Sequence, residues 1–478
     1  MLTTQLVLVI ALARSLAVVV HYPPNQTQLN NYTFALNGTG APGIYNSSET
    51  PDNEYGIYNQ CNMPHVRKRE YKVLTEQYTL QYVEVIQRHH KRTPYGSNTF
   101  FVEDVEWSCS GSGPVFGAIV HQSESTISGV EWQAYTDTQN PWTTSIGPRF
   151  NGSTCQFPQL TAEGLSDAFV HGQDLHEVYF PRLGLTSFFD SSKVRIRVTN
   201  NVITSQVATA LLSGLFPSSS LYSPWSHIVH VQPSSIDSLE PTYSCPNADL
   251  LKTSYASVSG SNATEWTNHL VQAKTLYGAL DKVSGIQNPD NAGWHMSFDH
   301  YYDNLSAKEC HGKELSCSVN DTTLCVTREQ ADTVYRIGNW EYSYVFRDAP
   351  QSTTYSALHY GAWVRELKSR LEGKINGSNG LKYVHNVAHD GSIAPLLGIL
   401  QIAEMVWPGM GAEVVFELYS TEGEYFIRVL WSGQPIVTSL PLGHNGTLDM
   451  VPVNEFFSYI DGTLGTSGDA LFNACQGQ

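Results

Sequence analysis

The stretch from Val83 to Pro94, Val-Glu-Val-Ile-Gln-Arg-His-His-Lys-Arg-Thr-Pro, constrains this chain more than any other. Val83, Val85 and Ile86 are β-branched and read as a strand that stops at a polar break. Pro94 cannot donate to a ladder and closes the segment. Between strand and proline, Arg88 and Arg92 flank a histidine pair, His89 and His90. The chain carries 27 Lys and Arg against 44 Asp and Glu, a net charge of −17. Such a knot of positive charge therefore runs against the global trend. Guanidinium forks match phosphate oxygens, and a neutral histidine beside them is a competent nucleophile. A loop at the carboxyl end of a strand is also where α/β sheets bind ligands.

Two further segments repeat this strand–loop–helix grammar. Lys193 to Thr199 alternates Val194, Ile196 and Val198 with Arg195 and Arg197, and a helix is predicted over Thr204 to Leu212, stopped by Gly214 and Pro217. Lys382 to Asn386 is a third strand, running into Ala388-His389-Asp390-Gly391-Ser392 and a helix through Pro395, Leu397 and Leu400. Leu160 to Leu175 is predicted helical with Thr161 as its cap, and Thr353 to Leu371 carries an apolar stripe. Glu413 to Val437 reads as a β-hairpin, and Val453 to Ile460 as a last short segment before a Gly/Ser-rich tail. Strands alternating with helices predict an α/β fold with a mixed, mostly parallel sheet flanked by helices. Ala263 to Val283 has helical spacing, so residues 218–350 are read as a mostly helical insertion. His385 and His389 are four apart, but on a strand running into a loop that spacing does not face two ligands at one metal.

Arg88, His89, Arg92 and Pro94 resemble the Arg-His-Gly-x-Arg-x-Pro signature of the histidine acid phosphatases, in the branch that includes fungal phytases. His90 stands at the signature's glycine. His389-Asp390 resembles the family's second signature, His-Asp at a strand end, with Ala388 in place of the usual glycine. The resemblance implies a histidine-phosphatase-like fold with an inserted helical cap. It also implies hydrolysis of small phosphate monoesters through a phosphohistidine on His89, with Asp390 as general acid. Arg88, Arg92 and His389 would hold the phosphate, and neither a metal nor an organic cofactor is expected. One position departs further. Counting from Arg197, Ile203 falls where the family places another phosphate-binding arginine. An isoleucine cannot hold an oxyanion, and losing one charged donor costs about two to three orders of magnitude in rate. The alternative is therefore a weakened or inactive homologue that binds a phosphorylated ligand or partner.

Four domain segments are expected: a signal peptide over 1–17, an irregular glycosylated arm over 18–60, a catalytic α/β domain from 61–217 with 351–478, and a cap over 218–350. The apolar run Leu6 to Ala13 has the length of a signal-peptide core, and an uncleaved anchor is its alternative. Sequons begin at Asn25, Asn31, Asn37, Asn46, Asn151, Asn262, Asn304, Asn320, Asn376 and Asn445, which predicts N-linked glycans. Eight cysteines without a Cys-x-x-Cys pair read as disulfides of an exported chain, with connectivity open. The expected location is secreted, extracellular or in a cell wall. The negative field disfavours nucleic acid as a partner, and no stable membrane association is expected.

Overall fold

The computed structural model describes residues 19–46, 50, 52–121, 126–137, 139–143, 147, 153–217, 227–287 and 289–477. The signal-peptide segment 1–17 and the sequon at Asn151 lie outside them.

Strand β1 (Thr79–Arg88) sits at the centre of the main sheet. A separate antiparallel hairpin is made by β2 (Val115–His121) and β3 (Thr126–Glu131). The other strands of the main sheet are β4 (Val194–Val198), β5 (Val229–His230), β6 (Tyr383–Ala388), β7 (Glu413–Thr421), β8 (Glu424–Trp431), β9 (Gln434–Pro435) and β10 (Val451–Pro452). Their order is β10-β8-β7-β1-β6-β4-β5, with β9 also on β8. The pairs β1–β6, β6–β4 and β4–β5 are parallel, whereas β7 runs antiparallel to β1 and to β8. The register sets Arg88 beside Ala388 and Val198 beside Val387. The carboxyl ends of β1, β6 and β4 therefore finish together, each followed by a loop.

Twelve helices are described: α1 (Tyr32–Asn37), α2 (Ala162–Leu183), α3 (Val202–Leu215), α4 (Pro246–Tyr255), α5 (Thr264–Gln272), α6 (Lys274–Ser284), α7 (Asp299–Glu309), α8 (Arg328–Ser343), α9 (Ser352–Ile375), α10 (Asp390–Ile399), α11 (Val453–Leu464) and α12 (Gly468–Cys475). The period-two alternation of β1 divides the core. Val83 and Val85 pack in one apolar cluster with side chains of α2 and α3, and Tyr82 and Ile86 pack in another with α9, α10, α11 and the inserted helices. Glu84 shares the α9 side, is fully buried, and receives the fork of Arg370 at 2.6 and 2.9 Å. Such a pair is costly to halve: removing one partner of a buried pair costs about 3–5 kcal/mol.

Several local expectations hold. Thr161 caps α2 by accepting from the Gly164 amide at 3.2 Å. Gly164 is required there, because a Cβ would lie 2.0 Å from the Lys91 carbonyl oxygen. The basic loop thus rests directly on the start of α2. The hairpin is β7–β8, closed by Glu422 (φ 50°) and Gly423 (φ 87°), the positive pair that matches strand twist. Other expectations needed tertiary contacts to settle. The helical stretch around 263–283 breaks at Ala273 into α5 and α6, and the Gly/Ser-rich tail ends in α12, held by Cys245–Cys475. The arm carries α1, whose Ala35 carbonyl accepts from Arg336 of α8 at 3.0 Å. The remaining disulfides are Cys61–Cys310, Cys109–Cys155 and Cys317–Cys325.

Asn25, Asn31, Asn37, Asn46, Asn262, Asn320, Asn376 and Asn445 are exposed. Asn304 is not: its side chain is buried, donating to the Asn98 carbonyl at 2.7 Å and accepting from Lys308. In this fold its sequon is a packing element rather than a glycan acceptor. Among the described residues no helix is long and apolar enough to cross a membrane.

Candidate active site

All five residues singled out in the sequence meet at the carboxyl ends of β1 and β6. Arg88 closes β1, and His89 to Arg92 form the following loop; Ala388 closes β6, His389 is the N-cap of α10, and Asp390 opens it. The Arg88 amide donates to the Ala412 carbonyl at 2.8 Å and the His89 amide to the Ala388 carbonyl at 3.0 Å, so the loop is stitched to both neighbouring segments.

His89 is buried, and its protonation can be read from its partners. Nδ1 lies 2.9 Å from the His90 carbonyl oxygen, which only accepts. Nδ1 therefore bears the hydrogen, and Nε2 keeps its lone pair. Burial, then the Arg92 and Arg88 guanidiniums, hold the ring well below the usual histidine range. Arg92 Nε approaches His89 Nε2 at 3.4 Å, and the rings of His89 and His389 stand 5.6 Å apart.

The two arginines are held by carboxylates. Arg88 Nη2 contacts Asp390 Oδ2 at 2.9 Å and Nη1 donates to the Pro408 carbonyl. Arg92 Nη2 contacts Asp303 Oδ1 at 2.9 Å, Nη1 donates to the Thr93 carbonyl at 2.9 Å, and the guanidinium lies over the Tyr95 ring. His389 Nε2 is 2.9 Å from Thr199 Oγ1, on the loop after β4. Burial and the two arginines push His389 down to about 4, with Asp390 opposing them. Burial alone would push Asp390 up. The Arg88 guanidinium and the Trp407 indole, which donates to Oδ2 at 2.7 Å, outweigh it and hold the carboxyl below its ordinary value.

Ile203 stands elsewhere. Its amide donates to Asn201 in the first turn of α3, and its side chain is fully buried in the apolar layer that holds Val198 and Val207. Neither Arg195 nor Arg197 replaces a cation at the site. Arg197 is spent on Asp237 and Glu366 at 2.9 and 2.7 Å, and both arginines line a separate cavity with His230.

Sequence reasoning missed Asp303, Trp407, Thr199 and Tyr95. Asp303 comes from α7 of the insertion and Trp407 from the loop before β7, and neither sits in a motif. Only the fold brings Asp303 to Arg92 and Trp407 to Asp390. His90 was legible solely as a departure. Its ring points beneath the loop, against Gly411 and His171.

Residues 79–432 match the model of the histidine phosphatase superfamily (branch 2), and the chain belongs to that family. Similar curated proteins include counting factor 60 of Dictyostelium discoideum, 25% identical over 393 residues covering 80% of this chain and 86% of that one. The 2-phosphoxylose phosphatase 1 of Danio rerio is 24% identical over 88% of this chain and 86% of its own. Prostatic acid phosphatase of Homo sapiens is 24% identical over 63% of this chain and 75% of its own. The phosphatase names among these relatives support phosphatase activity for the family to which this chain belongs.

Proposed function

We propose that the protein is an exported acid phosphatase that hydrolyses phosphate monoesters through a phosphohistidine on His89. The observation that carries this reading is the state of His89: a buried neutral ring, hydrogen on Nδ1, lone pair on Nε2, and two guanidiniums beside it. Phosphoryl transfer asks a protein mainly to position the reactants and neutralise charge. Arg88, Arg92 and His389 take the nonbridging oxygens. The His89 Nε2–P bond forms as the P–O bond to the alcohol breaks, and Asp390 delivers its proton to the departing oxygen. Water then attacks phosphorus, the Asp390 carboxylate takes a proton from that water, the Nε2–P bond breaks with its electron pair returning to His89 Nε2, and inorganic phosphate leaves.

With Arg88 on its carboxylate, Asp390 is ionised. A phosphate that draws the Arg88 fork to itself weakens that partner and raises the Asp390 carboxyl. Acidic solution favours the protonated form needed for the first step. The disulfides and the exposed sequons support export.

A second reading rests on Ile203. Because that side chain belongs to the apolar layer, position 203 supplies no cation, and the protein would bind phosphorylated ligands with little turnover. Hydrolysis of p-nitrophenyl phosphate from about pH 3 to about pH 8, beside His89→Ala, separates the two. An acid optimum lost in the variant supports the enzyme. Equal rates in both proteins at every pH support the binding protein.

A further inference from the structure

A cavity of about 470 Å³ opens beside Asp390. Gly391, the next residue in the chain, lines it, and so does Trp407, whose indole holds the Asp390 carboxylate. The wall that begins at Trp407 is aromatic. Tyr342 lines the space and stacks on Trp407 with centroids 3.9 Å apart; Tyr302, buried behind the wall, stacks on the same indole, and Trp266, Phe346 and Tyr355 continue the lining. An apolar space of roughly 150 Å³ already accommodates one benzene ring. The cavity's volume therefore admits a ring system with its substituents.

The charges around this space are mostly negative. Asp299 faces it, and Asp303 and Asp390 are close by. Asp299 is exposed to this space, so its carboxylate meets whatever enters it. Glu341 itself is committed to His269 and the Phe298 amide. Against these stands Lys252, whose described contact is the Tyr355 ring at 5.9 Å. A leaving group bearing further phosphates would meet this acidic wall with a single lysine to answer it. A flat, uncharged ring would meet faces and edges that it can stack on.

Resting on the phosphatase reading above, we propose that this cavity receives the alcohol part of the substrate and selects monoesters with one phosphate and an aromatic alcohol group. The cavity begins at Gly391 and Trp407, the chain neighbour and the indole partner of the residue that protonates the leaving oxygen, so an alcohol seated there lies next to Asp390.

The test compares 2-phenylethyl phosphate with ethyl phosphate. Both release a primary alkoxide, so their chemical reactivity is nearly matched and kcat/KM reports the contact with the ring. The expected preference for the phenyl compound is at least about tenfold, the size that burying one ring supplies, and inositol hexakisphosphate should be the poorest of the three. Ala256→Trp fills the cavity from the half-buried end of α4, away from the residues that hold phosphate. It should abolish the preference while leaving ethyl phosphate turnover unchanged. Met296→Glu, at an exposed rim position, should reduce the preference without risk to folding. Equal kcat/KM for the two alkyl esters, or a preference that survives both variants, overturns the proposal. If no ester is turned over faster than by His89→Ala, the phosphatase reading fails on its own. The cavity is then judged by equilibrium binding of the same two esters: tighter binding of the phenyl compound upholds it, and equal binding overturns it.

Discussion

His89 and His90 are neighbours in the chain, both buried and both neutral, yet they sit in regions of opposite character. Above the end of β1, His89 has one nitrogen anchored to a carbonyl and the other turned toward Arg92. Below it, His90 belongs to a sealed polar cluster. His90 Nε2 lies 2.8 Å from Gln87 Nε2 and 3.3 Å from His171 Nδ1, and His171 Nε2 lies 2.9 Å from Glu413 Oε2. His385 contacts Gln87 Oε1 at 2.8 Å, and His65 stacks on His171 while pairing with Asp174 at 2.7 Å. Gly411 (φ 71°) admits the His90 ring, since a Cβ there would stand 2.5 Å from its Cε1.

Donor counting explains the lower region. Gln87 gives its amide hydrogen to the single lone pair of His90 Nε2, so His171 Nδ1 at 3.3 Å is a close neighbour and not a second donor. His171 then carries its hydrogen on Nε2 and donates to Glu413 Oε2. Burial raises that carboxyl above its ordinary value. The lesson is that residue type does not separate a nucleophile from a core histidine. What separates them is what each ring faces: His89 Nε2 turns to Arg92 at the end of the strand, whereas His90 is packed against Gln87, His171 and Gly411 in the core.

The sharpest way to break this contrast is to remove each ring in turn. His89→Ala should cost at least about a thousandfold in kcat, as loss of a nucleophile does, with the melting temperature little changed. His90→Ala should do the reverse: stability falls by about 1–3 kcal/mol as Gln87 loses its partner, and kcat stays within roughly an order of magnitude. Steady-state kinetics and thermal melts on both variants check this. Asp390→Asn should slow alkyl phosphates by about a hundredfold and p-nitrophenyl phosphate much less, because p-nitrophenolate leaves without a proton. Equal slowing would remove Asp390 from the acid role.

Smaller effects sharpen the lower region. Glu413→Gln keeps an acceptor for the Val66 amide and asks His171 only to change tautomer, so it should melt closer to the parent than Glu413→Ala, which should lose about 2–3 kcal/mol. Denaturant melts of the pair measure that difference. Stability should also fall as pH drops below about 6.5. His89, His90, His171, His385 (about 3) and His389 (about 4) are all held below their ordinary value by burial. The unfolded chain therefore binds protons there that the folded chain refuses. Asp390, held low, adds to the loss at still lower pH, and Glu413, held high, opposes it. Urea melts at pH 7, 6 and 5 would show the trend, and a flat profile would mean that these rings are not neutral.

The parts of this molecule legible in the sequence were those written locally. The strand–loop–helix units around Arg88, Arg197 and His389 follow from β-branched runs, caps and breakers, and those units sit at the centre of the sheet. The family resemblance named the five site residues, and the fold brings them together. Asp303 and Trp407 were not legible, because an aspartate in a helix and a tryptophan in a loop carry no local mark of what they will face. The burial of Asn304 was hidden for the same reason, since a sequon states a chemical possibility and packing decides it. Ile203 was legible as a missing arginine, but only its place in the apolar layer with Val198 shows that the position has become core.

The central claim is that His89 Nε2 takes the phosphoryl group. Acid-labile, alkali-stable phosphate should accumulate on the protein when it is mixed with substrate and quenched in alkali within the first turnover. Peptide mass spectrometry should place that phosphate on His89, and His89→Ala should show none. Label on another residue, or turnover by His89→Ala at the parent rate, would contradict the account.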